Sequence, residues 1–249
     1  MSVMRDQKYE GILQIFVISH FNSTSMHIEK SSFQFLKDLK KNNNRDWFAE
    51  HKPTFTEAQN NIKAFYSAIQ DNLNQHDEIE KMKIFRIYRD VRFSKDKTPY
   101  KPHFAGSFSR LGKHLRGGYY LRVRPGESFL AGGFWEPNKE DLFRIRKEIE
   151  LDASEIRDIL NDPIYKEYFG GKFDSFSELK SAPRGFDKEH PDVDLLRKKG
   201  FIAVRNFTDK EVLDKNFINE VDKCFQALRP FFDLFSDILT TNLNGESII

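Results

Sequence analysis

Apolar residues recur at three- and four-residue intervals through Phe55, Ala58, Ile62, Phe65, Ile69 and Leu73, and from Lys83 onward the period changes to two. The first pattern lays one stripe along a helix starting at Pro53; the second alternates sides of a strand. Phe85, Ile87, Arg89, Val91 and Phe93 fall on one face of that strand, and Arg86, Tyr88, Asp90 and Arg92 on the other. Upstream, Phe35, Leu36 and Leu39 predict a short helix capped by Ser31 or Ser32 and stopped by Asn42-Asn43-Asn44, with Asn44 free to cap the next turn.

Downstream of the strand, Ser94 to Pro102 reads as a polar loop stiffened by two prolines. Further strands are predicted over 104–109, 119–124 and 128–135, the last two forming a hairpin about Pro125-Gly126. In the second of them Tyr119, Leu121 and Val123 alternate with Tyr120, Arg122 and Arg124. Gly132-Gly133 has no side chains to pack and marks a bulge or a close approach by a ligand or another backbone. Asn138 and Ser154 cap two amphipathic helices, a looser aromatic stretch follows, and a short helix over 192–199 ends at Gly200. A strand over 201–207, a capping box at Thr208–Glu211 and a closing helix kinked at Pro230 complete the chain. The sum is an α+β protein: a central, mainly antiparallel sheet flanked by N-terminal and C-terminal helices.

Composition adds compartment and size. The 249 residues carry no linker, repeat or low-complexity run, so residues 26–249 are read as one domain. Residues 1–25 are read as an N-terminal extension, consistent with an upstream start codon because Met26 precedes the first helix signal. Its apolar run, Gly11 to Phe21, is short, is interrupted by His20 and lacks a small-residue cleavage pattern. No run spans a bilayer, so no membrane partner is expected. The single cysteine, Cys224, has no disulfide partner and sits at an apolar helical position, which points to an inert thiol in the cytoplasm.

Charge changes the picture more. The net charge is only +2, yet Lys81 to Arg124 holds thirteen Lys or Arg against two acids, Asp90 and Asp96. The chain is polarised, and an anion would meet this segment first. The candidate ligand-binding residues are Arg86, Arg89, Arg92, Lys95, Lys97, Tyr100, Lys101, Tyr120, Arg122 and Trp135. Arg86, Arg92 and Lys97 would act as anion clamps and Asp90 would orient an arginine, because the guanidinium fork suits phosphate and carboxylate. A phosphorylated small molecule is the leading ligand. The alternative is nucleic acid on the same face, with Tyr88, Tyr100, Tyr119, Tyr120 and Trp135 stacking on bases. A third reading has no ligand, with Arg89 and Asp90 paired inside the fold. Weak catalytic candidates are His103 in the basic loop, Asp90, and the crowd at Asp187 and His190; the spacing there with Asp192 and Asp194 is poor for a metal, and Asp192 suits a helix N-terminus better. No metal site, nucleotide-binding glycine loop or nucleophile elbow is read from the sequence, and the identity of any cofactor stays open.

The run Arg89-Asp90-Val91-Arg92-Phe93-Ser94-Lys95-Asp96-Lys97-Thr98-Pro99-Tyr100-Lys101, with Gly118-Tyr119-Tyr120-Leu121, Pro125 to Phe129, Ala131-Gly132-Gly133-Phe134-Trp135 and Ala182-Pro183-Arg184-Gly185-Phe186, resembles the family called domain of unknown function 2461 from about Met26 to the C-terminus. That family carries no established activity, cofactor or catalytic residues. The resemblance therefore implies none for this chain.

Overall fold

A computed structural model describes residues 27–175, 177–242 and 246–249; the expected extension at 1–25 lies outside them. The N-terminal helices are α1 (Lys30–Lys41), α2 (Arg45–Glu50) and α3 (Lys52–Leu73). Asn44 caps α2 by accepting from the Trp47 N–H. Neither Ser31 nor Ser32 caps α1: Glu29 takes that position, and the Ser32 hydroxyl donates instead to Asn61 of α3, so tertiary packing claims it.

Five strands follow the chain order in one antiparallel sheet: β1 (Ile79–Ile84), β2 (Phe104–Arg110), β3 (Gly118–Val123), β4 (Ser128–Phe134) and β5 (Phe201–Phe207). Helices α4 (Lys139–Leu151), α5 (Ser154–Asn161), α6 (Pro163–Phe169) and α7 (Val193–Leu196) fall between β4 and β5. Helices α8 (Asp209–Val212), α9 (Phe217–Ala227) and α10 (Arg229–Thr240) close the chain, with the capping box at Thr208–Glu211 formed. The architecture is α+β. Helix α6, within the stretch expected to be loose, is seeded by Asp162, whose carboxylate accepts from the N–H groups of Ile164 and Tyr165. At α5 the N-cap position belongs to Ala153 rather than Ser154, whose N–H is held by the Asp152 carboxylate.

Phe104, Phe108, Tyr119, Leu121, Val123, Leu130, Phe134 and Phe201 are buried on one sheet face. Rings from α3, α9 and α10 cover it: Tyr66 stacks on Phe108 and donates to the Leu121 carbonyl at 2.8 Å, Phe225 meets Tyr119 at 4.8 Å, and Phe235 meets Phe201 at 5.3 Å. The glycine pair of β4 is where these layers touch. A Cβ on Gly132 would lie 2.3 Å from Leu228 Cδ1, and one on Gly133, at φ +136°, would lie 2.2 Å from the Phe201 carbonyl oxygen. A helix side chain and the neighbouring strand make the close approach there.

The strand expected from Lys83 to Phe93 is displaced. Its regular part is β1, which starts at Ile79 and ends at Ile84. Beyond it the chain pairs irregularly with the segment entering β2, through Phe85 N–H to Ala105 O, Lys101 N–H to Ile87 O and Arg89 N–H to Pro99 O. Residues 90–98 form the tip of this distorted hairpin. Pro99 and Pro102 cannot donate to a ladder, which breaks its regularity. Val91 and Phe93 therefore never share a buried face with Ile87: Ile87 is 2% exposed and Phe93 97%.

Candidate functional site

Within the hairpin tip, charges answer one another. The Arg89 guanidinium donates to Asp96 at 2.5 Å, to the Thr98 carbonyl at 3.0 Å, to the Thr98 hydroxyl and to Ser94 Oγ at 3.2 Å. Arg92 forks onto Asp90 with contacts of 3.0 and 2.7 Å, which holds the Asp90 carboxyl below the usual range. Asp96 is lowered too, first by the Thr98 N–H, then by the Thr98 hydroxyl and Arg89. Lys97 Nζ donates to the Val91 carbonyl at 3.0 Å. Arg89 and Asp90 are not paired with each other: each serves a different loop contact. Three cations of the expected site thus fold their own loop, while Arg86 and Lys95 stand exposed beside them.

The other predicted residues scatter. Tyr100 is 5% exposed and stacked on Phe48 at 4.0 Å, and Tyr119 is 1% exposed with its hydroxyl on Asp77, so neither ring is open to a base. Tyr88 packs its edge on Phe48 and keeps 43% of its surface exposed. Trp135, half exposed just past the end of β4, borders a cavity of about 450 Å³ with Arg146 and Lys199. In the acidic crowd at 187–194, Arg157 bridges Asp192 at 2.8 Å and Asp194 at 2.5 Å, and Asp192 stands at the α7 N-cap position without its side chain capping. His190 accepts from the Asp192 N–H through Nδ1, and the Asp187 carboxylate accepts from the Glu189 N–H. Cys224 is fully buried against Arg205, and burial pushes its thiol up to about 11.

Register brings a different set together, on the sheet face opposite the helical layer. Pairing Lys83 with Ser107, Ser107 with Tyr120, Tyr120 with Ala131 and Ala131 with Val204 makes one row across all five strands. The next row runs through Phe85, Ala105, Arg122, Phe129 and Asn206. Phe85, Tyr120 and Phe129 form a line of half-buried rings with centroid spacings of 6.2 and 5.5 Å, and among the described residues their ring contacts are with one another alone. The Arg122 guanidinium lies 4.3 Å over Phe129. Tyr120's hydroxyl has no partner among the described residues, and its pKa is raised by desolvation.

One step along, His103 precedes β2 and Arg124 follows β3. Burial, then Arg122, Arg124 and Lys101, push the His103 imidazole down to about 4, so it is neutral at physiological pH. Its Nδ1 is buried without a hydrogen-bond partner among the described residues, as is Arg124 Nε. Among the described residues Glu127 alone pairs with the two arginines, at 3.1 Å from Arg124 and 3.8 Å from Arg122, and its carboxylate is 46% exposed. Arg122 otherwise donates to the Glu127 carbonyl. Among the expected residues, then, Tyr120, Arg122, Lys101 and the weak candidate His103 converge. Phe85, Phe129, Lys83 and Arg124 join them unpredicted, although the alternation of Tyr120, Arg122 and Arg124 was the signal that could have placed Arg124.

Three cavities of about 840, 450 and 390 Å³ lie elsewhere, the 840 Å³ one between α4, α5 and α10. Among the described residues, no His, Cys, Asp and Glu side chains group as metal ligands, and no helix is long and apolar enough to cross a membrane. No curated protein and no solved structure matches the chain significantly. A family profile does match, over residues 31–234, which span the hairpin tip, the whole sheet and most of the N-terminal and C-terminal helices. The chain belongs to that family, described as conserved hypothetical protein, DUF2461.

Proposed function

We propose that the protein binds a phosphate-bearing anionic ligand on the open sheet face, with Arg122 and Arg124 as guanidinium donors, Lys101 adding charge and His103 as a neutral acceptor. The observation that supports this reading is the local imbalance: Arg122 and Arg124 share one half-exposed carboxylate, Lys101 is close enough to depress the His103 imidazole with them, and Arg124 Nε is buried with no acceptor among the described residues. An unmade buried hydrogen bond costs roughly 1–3 kcal/mol, which an oxygen of the ligand would offset. His103 would be a proton acceptor not already paired with a cation, unlike Glu127, so acid–base work on the bound group would run through it. Arg86, Lys95 and the internally matched hairpin tip flank the site rather than form it. A cytoplasmic ligand fits the single unpaired thiol.

The test is thermal denaturation with inorganic phosphate, sugar phosphates and nucleotides, since a ligand of the native state raises Tm by mass action. At least one phosphate compound is expected to raise Tm in the wild type and not in Arg122→Ala. If none does, the reading fails.

A further inference from the structure

The open face has the shape of a platform rather than a pocket, and its rings are arranged across strands. We propose that its ligand is a single-stranded nucleic acid, laid across the sheet with bases on Phe85, Tyr120 and Phe129. This rests on the phosphate reading above and narrows it.

Three observations carry it. First, the rings come from three separate positions across the sheet and present a continuous line whose spacings, 6.2 and 5.5 Å, exceed what one base can cover. Successive unstacked bases on aromatic side chains are the usual way proteins hold single strands. Second, cations flank the line on both sides: Lys81 and Lys83 project from β1, Arg122 from β3 and Arg124 from just past its end. A single phosphate needs one such group; a backbone with repeating phosphates meets both. Third, among the described residues none of the three cavities described above is lined by this face, whereas a small phosphorylated metabolite is ordinarily enclosed on most of its surface. Arg122 over Phe129 and Lys83 at 5.3 Å from the Phe85 ring already hold cations beside the rings, where a base and its phosphate would each find a partner.

The experiment is fluorescence anisotropy of a labelled short oligothymidylate and its RNA counterpart on the full chain at several salt concentrations, with thymidine monophosphate and glucose 6-phosphate as competitors. The expected result is oligonucleotide binding that weakens linearly in log salt. Tyr120→Ala should lose on the order of tenfold in affinity while Tyr120→Phe retains it, and Arg122→Ala should lower the salt slope by about one. Circular dichroism and Tm confirm that each variant is folded; should Tyr120→Ala not fold, Phe129→Ala takes its place. If the monophosphate or the sugar phosphate binds as tightly as the oligonucleotide, or if Tyr120→Ala binds unchanged, this inference is overturned and the phosphate site stands. If nothing binds, the phosphate site is overturned with it.

Discussion

Two arginine clusters occupy opposite faces of the same sheet. On the covered face, Arg110 is wholly buried and its guanidinium is fully answered: Asp77 at 2.8 Å, Asp233 at 2.7 Å, the Arg116 carbonyl at 3.0 Å and Ser236 Oγ at 3.3 Å. Asp77, itself 1% exposed, also accepts from the Tyr119 hydroxyl at 2.5 Å and lies 3.5 Å from Arg229. On the open face, Arg122 and Arg124 are about a quarter exposed and share Glu127. The difference teaches what each cluster is for. Desolvating a charge costs several kcal/mol, so a cation sealed in the core needs anions of the fold itself. A cation left partly wet can stand under-compensated, and the deficit is then available to a ligand.

Breaking the covered cluster should have the largest effect. Asp77→Ala removes the buried carboxylate of Arg110, leaves it the half-exposed Asp233 and strips the Tyr119 hydroxyl of its acceptor, and a loss of about 3–5 kcal/mol is expected in urea unfolding. An unchanged midpoint would mean that water reaches Arg110 and that the two faces do not differ as described.

The open face should announce itself through pH. Because the folded His103 pKa lies near 4, below the ordinary 6.5, the unfolded chain takes up the proton first as pH falls. The neutral imidazole's contribution is therefore full above about pH 6.5 and lost progressively down to about pH 4, amounting to at most ~3 kcal/mol and less with solvent screening. His103→Gln should flatten the pH dependence of Tm in that window. Bound phosphate should raise the His103 pKa, visible in its imidazole proton resonances, because an anion cancels the field of Arg122 and Arg124. A titration that phosphate leaves unmoved would separate His103 from the site.

The smallest effect is expected at the hairpin tip. Arg92 and Asp90 are both exposed, so Asp90→Asn should leave Tm unchanged and, since Arg92 sits away from the His103 cluster, leave any phosphate-induced shift intact as well. Loss of that shift would bring the tip back into the site.

Much of this fold was legible in advance because its signals are local. The stripe through Phe55 to Leu73, the alternation in β3, the capping box at Thr208 and the turn at Pro125-Gly126 all act within a few residues, and each produced its element. Helix α6 escaped because aromatic crowding masked a one-residue cap at Asp162. The hairpin tip was misread because Phe85 to Phe93 alternates like a strand, while Arg89 gathers Asp96, Thr98 and Ser94 into a loop that no period announces. Hence a concentration of basic residues was visible, and its division was not.

By itself, then, the sequence determined the α+β class, the antiparallel hairpin of β3 and β4 and the basic character of residues 81–124, all of which follow from periodicity, a short turn and charge counts. Only the tertiary structure decided which cations are answered. Arg110 meets Asp233, 123 residues away, and Arg89 meets Asp96, seven residues away, whereas Arg122 and Arg124 share the lone carboxylate of the turn between their own strand and the next. Charge is a property of residues, but compensation is a property of distance and burial, and those exist only after the chain has folded.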